Sequence, residues 1–465
     1  MGIGLHGGAV ETIKWFLAQG AQVVATDLKK AQELGPSLEK LKGLKNLEII
    51  TGIHRTEDFV NVDLVVKNPA VRWDNQYVKL ALDKKIPVEM DSSLFFRHCP
   101  SRNIIGVTGT KGKTTTALLI FEILKAAGKK AVLVGVGQES VMGKLKEIDE
   151  KTWVVFELSS WRLSALKRQK VSPSGAVMVN FFQDHLNYYQ NMAEYAADKK
   201  ALFEFQKKED WLVVEEETLS ELSSYSHSAS AVNHQSRVGY FSEKEKSEER
   251  EVFVRDGKIK FSWEGQIGQL GSVDELKLRG RHNWKNVLAA AAAGLFLGIE
   301  PEKIWQAVSR FSGAPHRLEL VKEIGGVAFY NDTTATTPES GRRGIQAFDQ
   351  PLHLIAGGSN KNLDLKIFAD EIAGNEKVKK VYLLDGAATE KLRGLIEKAG
   401  GQDKLAGIFD NLKAAVVEAA TNAVSGETVL LSPGCASFGM FDNEFDRGGK
   451  FRQAVEGLRD VTQNT

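Results

Sequence analysis

The stretch IIGVTGTKGKTTTALLI, residues 104–120, decides how this chain is read. Its head is apolar and β-branched, as in a buried strand, and its tail has the composition of a helix. Between them lie Thr108, Gly109, Thr110, Lys111, Gly112, Lys113, Thr114 and Thr115. The common phosphate-binding loop reads G-x-x-x-x-G-K-[ST]. Counted back from Gly112, its first glycine falls on residue 107, which is Val107; the glycines stand at Gly106 and Gly109 instead. Backbone N–H groups from Gly109 to Lys113 suit a polyphosphate, Lys113 adds charge, and the Thr114 hydroxyl suits Mg²⁺. A plain glycine-rich turn is the competing reading. Strand context together with Gly-Lys-Thr argues against it.

Outward from this loop, short apolar runs recur at 21–27, 62–69, 130–137, 152–159 and 175–180, and again at 351–358, 377–387 and 426–434. Helical stretches such as 114–128 separate them. Continuous apolar strands alternating with helices predict an α/β fold with mainly parallel sheets flanked by helices. Turn residues place boundaries near 98–101 and 313–316, and 465 residues correspond to about three domains. One segment breaks the rhythm: 251–263 alternates on both sides of Asp256-Gly257, a type I′ hairpin signal. The charged run 242–250 reads as a solvated loop, and 283–299 as a buried helix.

Hydrophobic content of 42%, charged content of 26% and a net charge of +1 fit a soluble globular protein and give no reason to expect a nucleic-acid or membrane partner. No apolar run approaches a bilayer span, and the first ten residues lack the order of a signal peptide. Cys99 and Cys435 are the only cysteines, which fits a reducing compartment. A cytoplasmic location is expected.

Three further features carry chemistry. Gly2-x-Gly4-x-x-Gly7, with Asp27 ending the next strand, has the form of a dinucleotide fingerprint, although no first strand precedes it. A tight turn feeding a helix and a diphosphate site at that helix's N-terminus are equally open readings. An NAD enzyme rests on these glycines alone. Second, the strands at 152–156 and 175–180 deliver Glu157, Asp184 and His185 to the edge where an open parallel sheet binds ligands. A carboxylate and an imidazole beside a triphosphate suit metal ligands. Third, helical periodicity puts Lys199 among Met192, Tyr195, Leu202 and Phe203 on one apolar stripe. The pattern alone favours a snorkelling side chain with its head in water.

Together these segments resemble the Mur ligase family. TGTKGKTT resembles its T-G-T-x-G-K-[ST]-T loop, FELSSW its E-[LV]-S-S, and NFFQDHLNYY its N-x-x-x-D-H. YAADKKALF, GRHNWKNVLAA and GAPHRLE followed by YNDTTATTPES are similar to further blocks of the family. AGGSNKNLDL and LLSPGCASFGMFDNEFDRGGKF resemble its D-glutamate-adding branch. The resemblance covers almost the whole chain. It implies a Rossmann-like domain at 1–99 for a UDP-linked precursor, with its first strand apparently missing. A phosphate-loop ATPase-like domain at 100–314 and a Rossmann-like domain at 315–465 for the amino acid follow.

The implied reaction is ATP-dependent amide formation. ATP phosphorylates the carboxylate of UDP-N-acetylmuramoyl-L-alanine, and the D-glutamate amine attacks the acyl phosphate, in peptidoglycan precursor synthesis. By the same resemblance Lys113 holds the β/γ-phosphates. Thr114 and Glu157 hold one Mg²⁺, and His185 a second. Lys199 is the lysine carbamylated by CO₂ and turned toward metal. Asn283 and Asn286 match ATP-binding asparagines, Arg317 a phosphate contact and Asp332 a ribose contact. Thr336, Lys361 and Ser437 match positions around D-glutamate. Gly4, Leu5, His6, Asp27, Glu139 and His185 match positions facing the UDP precursor. A monomer is expected.

There are departures. Glu139 stands where the family has asparagine, Asp198 replaces the alanine before the modified lysine, and Thr334 stands where some members have lysine. Gly439 replaces an aspartate, and Glu444-Phe445 reverse the aromatic–acid order. The rival readings are an L-alanine-adding or folylpolyglutamate synthase-like ligase, and a nucleotide-binding protein without ligase chemistry. The last would not need Glu157, His185 and Lys199 together.

Overall fold

The computed structural model describes residues 1–4, 8–137, 140–185, 188–225, 236–278, 280–359 and 363–458. The chain divides into two compact units, residues 1–276 with 282–310, and residues 277–281 with 311–465.

The first unit is organised by a nine-stranded sheet. Its order is Gln266–Ser272, Lys258–Trp263, Arg250–Arg255, Arg237–Ser242, Trp211–Val214, Gly175–Met178, Ile104–Thr108, Trp153–Glu157, Ala131–Val134. Every pairing from Ala131–Val134 to Arg250–Arg255 is parallel. The expected hairpin then adds Lys258–Trp263 antiparallel, turning through Asp256 and Gly257 at φ 53° and 67°. Positive φ at both positions is what a type I′ turn requires. All five residues of Ile104–Thr108 are buried, which is why this strand carries no polar alternation. Its neighbours on the two sides follow it in the chain by opposite routes, so its carboxyl end is the switch point where such sheets bind ligands.

Before this sheet, Val23–Asp27 pairs with Leu47–Thr51 and Val65–Val66 with Val88–Glu89, both in parallel. Met1 and Gly2 lie between the two pairs. The Gly2 amide donates to the Thr26 carbonyl at 2.8 Å, and the Asn68 amide to the Met1 carbonyl at 2.9 Å. A helix follows at Gly8–Ala18. The helix Asp91–His98 buries Leu94 and Phe95 in the core beneath the large sheet, where Phe95 meets Phe156 edge-on at 5.2 Å.

The second unit holds a six-stranded sheet ordered Glu319–Ile324, Val327–Asn331, Thr428–Leu431, Leu352–Gly357, Val378–Leu384, Leu405–Phe409. Only the first pairing is antiparallel. Helices cover both faces and form two apolar cores, one around Phe368 and Leu392 and one around Phe451 and Val416. Among the described residues no helix is long and apolar enough to cross a membrane.

Candidate active site

The strand Ile104–Thr108 ends in the loop of residues 109–112, and the helix Lys113–Ala126 begins at once. Gly112 makes the turn possible. Its φ is +84°, and a Cβ there would lie 2.3 Å from Asn286 Oδ1. The loop's carbonyls are held by side chains. Lys113 Nζ lies 3.1 Å from the carbonyls of both Gly109 and Thr110. With those dipoles engaged, the first-turn amides of the helix, which have no intrahelical acceptors, supply donors for an anion.

The carboxyl ends of the neighbouring strands bring the other expected residues to this edge. Thr114 Oγ1 donates to Glu157 Oε2 at 2.8 Å, so the hydroxyl and carboxylate proposed for one metal touch directly. His185 stands at φ 56°, its amide donating to Asp184 Oδ1 at 2.9 Å. Burial lowers the imidazole pKa against the pull of Asp184, and Lys113, Lys199 and Lys111 lower it further. Asp184 also accepts from Lys111 Nζ at 3.1 Å. Asn283 and Asn286 are buried on the helix His282–Phe296, joined by a 2.8 Å bond between their carboxamides. Asn286 Oδ1 accepts from Thr116 at 3.3 Å, so this helix backs the phosphate-loop helix.

Lys199 corrects the snorkelling expectation: its side chain is 1% exposed. The helix Met192–Lys200 lies against the phosphate loop, leaving the ammonium no route to water. Nζ donates to the Gly109 carbonyl at 2.9 Å and to Thr108 Oγ1 at 3.3 Å, both neutral. Burial pushes its pKa well below that of an ordinary lysine, and the Lys113 charge pushes the same way. One turn earlier, Tyr195 Oη meets Thr110 Oγ1 at 3.2 Å. Asp198 faces elsewhere, 3.3 Å from Lys167.

The N-terminal candidates are partly described. The Gly4 amide donates to Asp27 Oδ2 at 3.0 Å, and Asp27 also accepts from the Lys29 amide at 2.9 Å. Each of its oxygens thereby helps to order the acid's own loop. Leu5, His6, Glu139 and Lys361 lie outside the described residues.

In the second unit, the strands Val327–Asn331 and Thr428–Leu431 deliver Asp332 and Ser432 side by side, with Ser432 Oγ donating to Asp332 Oδ2 at 2.8 Å. Burial raises the Asp332 pKa to about 7, opposed by the Ser432 bond and by Arg317. Arg317 itself is exposed. Thr336 and Cys435 line a narrow cleft with Pro338, Ser359, Leu365 and Ala436. Ser437, next in the chain, is buried.

Two site-building residues fall outside the sequence-derived set. Arg447 is fully buried and donates to Thr333 Oγ1 and O, both at 2.9 Å, and to the Cys435 carbonyl at 3.2 Å. It ties together the loops that carry Asp332, Thr336 and Ser437. Burial lowers its pKa to about 10. Asn180 bonds the phosphate loop through both its backbone and its side chain. Each lies inside a motif quoted for the family, which was the available signal.

Residues 107–294 match the Mur ligase middle domain, and residues 316–435 the glutamate ligase domain of Mur ligases. The chain is 38% identical over 471 residues to a UDP-N-acetylmuramoylalanine–D-glutamate ligase of Roseiflexus sp. (strain RS-1), covering 98% of each. A protein of the same name from Borreliella afzelii (strain PKo) is 33% identical over 470 residues, covering 98% of this chain and 97% of its own. Among solved structures, the UDP-N-acetylmuramate-alanine ligase MurC of Thermotoga maritima superposes with a TM-score of 0.57 at 20% identity, covering 98% of both chains. The MurF ligase of Thermotoga maritima in complex with ADP gives 0.51 at 16%, covering 94% of this chain and 95% of its own. At these identities the superpositions speak to the fold.

Proposed function

The chain belongs to the Mur ligase family, and we propose from that premise that it joins D-glutamate to UDP-N-acetylmuramoyl-L-alanine at the cost of ATP. The observation that carries the substrate assignment is end-to-end identity of 33% and 38% to ligases of that name. The chemistry follows from the carboxylate's inertness toward amines. A carboxylate oxygen of the precursor attacks the γ-phosphorus of ATP, and ADP departs. The D-glutamate nitrogen then attacks the acyl carbon, gives up a proton and expels phosphate from the tetrahedral adduct. Positioning and charge neutralisation dominate such a reaction.

In this reading the first-turn amides of the helix Lys113–Ala126 and the Lys113 ammonium hold the polyphosphate. Thr114 and Glu157 already touch and present hard oxygen donors suited to Mg²⁺, with His185 for a second ion. Among the described residues no three His, Cys, Asp or Glu side chains gather. A further carboxylate would complete the donor set, and Lys199 can become one. A neutral amine and CO₂ yield a carbamate and one proton, and burial of Lys199 favours the neutral amine. The carbamate nitrogen keeps one N–H, enough for the Gly109 carbonyl. Bound Mg²⁺ supplies charge neutralisation to the phosphoryl group in transfer. Asn283 and Asn286 back the nucleotide site, Arg317 reaches phosphate, and Asp332 accepts from ribose. Thr336, Ser437 and Lys361 receive D-glutamate. Gly4, Leu5, His6, Asp27 and Glu139 face the UDP precursor.

The test is phosphate release from Mg·ATP and UDP-N-acetylmuramoyl-L-alanine, offering D-glutamate, L-glutamate, L-alanine or no amino acid. Release dependent on D-glutamate, with a product heavier by one glutamyl unit, is expected. Release with another amino acid keeps the ligase and moves the specificity. No release with any of them refutes the reading.

A further inference from the structure

Asn180 follows the strand Gly175–Met178 and lies against the phosphate loop. Its carboxamide is engaged on both sides. Oδ1 accepts from the amides of Thr110 and Lys111, each at 3.0 Å, and Nδ2 donates to the Lys111 carbonyl at 3.0 Å. Its own carbonyl lies 3.2 Å from the Thr110 amide. Thr110 returns the contact further along, its Oγ1 bonding the Phe182 amide at 2.9 Å and the Phe182 carbonyl at 3.2 Å. A Cβ on Gly109 would fall 3.1 Å from Val179 Cβ and 3.2 Å from the Asn180 nitrogen. Loop and strand end are therefore in contact over two successive residues.

Two consequences follow. The Lys111 carbonyl, a dipole that would repel a polyphosphate, is held by Asn180. The Thr110 and Lys111 amides are likewise taken, so the donors for phosphate shift to Gly112, the helix's first turn and Lys113. Without the carboxamide, the Lys111 amide and carbonyl would need new partners, the Thr110 amide would keep only the Asn180 carbonyl, and the loop would have to be ordered at the moment of binding.

We propose that Asn180 is a positioning residue for the nucleotide: its carboxamide clamps the Thr110–Lys111 peptides and aims the phosphate loop before ATP arrives. The proposal rests on the ATP reading above. Its role is separable from that of a merely structural residue, because it acts on one ligand only. In Asn180→Ala, the KM for ATP and the calorimetric Kd for Mg·ADP rise about ten-fold or more, the loss of one to two net hydrogen bonds. The KM values for the other two substrates stay within about two-fold, and kcat falls less than ATP affinity. Amide exchange at residues 109–111 accelerates while the sheet core is unchanged. Asn180→Ser, which keeps a polar group too short to span both peptides, moves in the same direction and serves if the alanine variant does not fold. Mg·ADP binding within two-fold of the native chain in either folded variant overturns the proposal. So does a kcat loss with unchanged KM for ATP. A native chain that binds no Mg·ADP overturns the ATP reading first, and the clamp with it.

Discussion

Two lysines of the first unit are buried to the same degree, Lys199 and Lys67, each 1% exposed. Among the described residues neither donates to a carboxylate. Lys67 Nζ reaches the Val71 carbonyl at 2.8 Å and Met90 Sδ at 3.1 Å, and lies 4.3 Å from the Trp73 ring centre. Lys199 reaches the Gly109 carbonyl and Thr108, and lies 5.0 Å from the Tyr195 ring centre. Burial lowers both pKa values, that of Lys67 to about 7 with help from the Arg168 charge. Burial and a depressed pKa therefore do not distinguish them. Their surroundings do. Trp73 carries the Arg168 guanidinium as well, at 4.0 Å, and donates its indole N–H to Ser164 at 2.7 Å, a cluster satisfied within itself. Lys199 instead bonds the first glycine of the phosphate loop, at the carboxyl end of the central strand.

Removing each amine in turn separates the two lysines. Lys199→Ala should lower ligase turnover by about 10²-fold or more, the scale of losing a charge-stabilising group at a reacting centre. Bicarbonate should not restore it, whereas small carboxylates should do so in part. Full turnover in the variant ends the carbamate assignment. Next in size, Glu157→Gln should cost about 10- to 100-fold at fixed Mg²⁺, with part regained at high Mg²⁺. A loss insensitive to metal concentration would assign Glu157 to orienting Thr114 alone.

Lys67→Met should leave turnover within about two-fold, because no reacting group lies beside it. Its effect is on stability. A lysine whose folded pKa is lowered from 10.5 to about 7 is increasingly disfavoured as pH falls through that window. The methionine variant should therefore melt higher than the native chain near pH 7, with the gap closing toward pH 10. Turnover lost in parallel with Lys199→Ala would mean that both lysines serve the reaction. The smallest effect is expected in the second unit. The Asp332 carboxyl, raised from 3.8 to about 7, disfavours the folded state as pH rises between those values. Asp332→Asn should match native thermal stability near pH 4 and exceed it near pH 8. The opposite slope would mean that the bonds from Ser432 and Leu318 favour the ionised form.

Much of the candidate site's local geometry was legible because its signals are local. Gly112-Lys113-Thr114 states its chemistry within three residues, Glu157 ends an apolar strand, and Asp256-Gly257 marks the hairpin found. What was misjudged was non-local. The periodicity of residues 192–203 put Lys199 on the apolar stripe but could not say what covers that stripe, and the covering element is the loop some ninety residues earlier. The first-strand question had the same character. Met1 and Gly2 show no strand pattern, yet they bond to segments ending at Asp27 and Val66.

By itself the sequence determined the α/β alternation, the glycine-rich strand–helix turn, the order of the chemistry-bearing residues and the family to which they point. Each is carried by patterns a few residues long, set by backbone geometry and side-chain burial. Only the tertiary structure decided that Lys199 has no path to water, that Arg447 joins two loops of the second unit, and that Asn180 holds the phosphate loop. Each depends on which distant segment meets which. The energy of a buried cation or carboxamide is set by those partners and not by its neighbours in the chain.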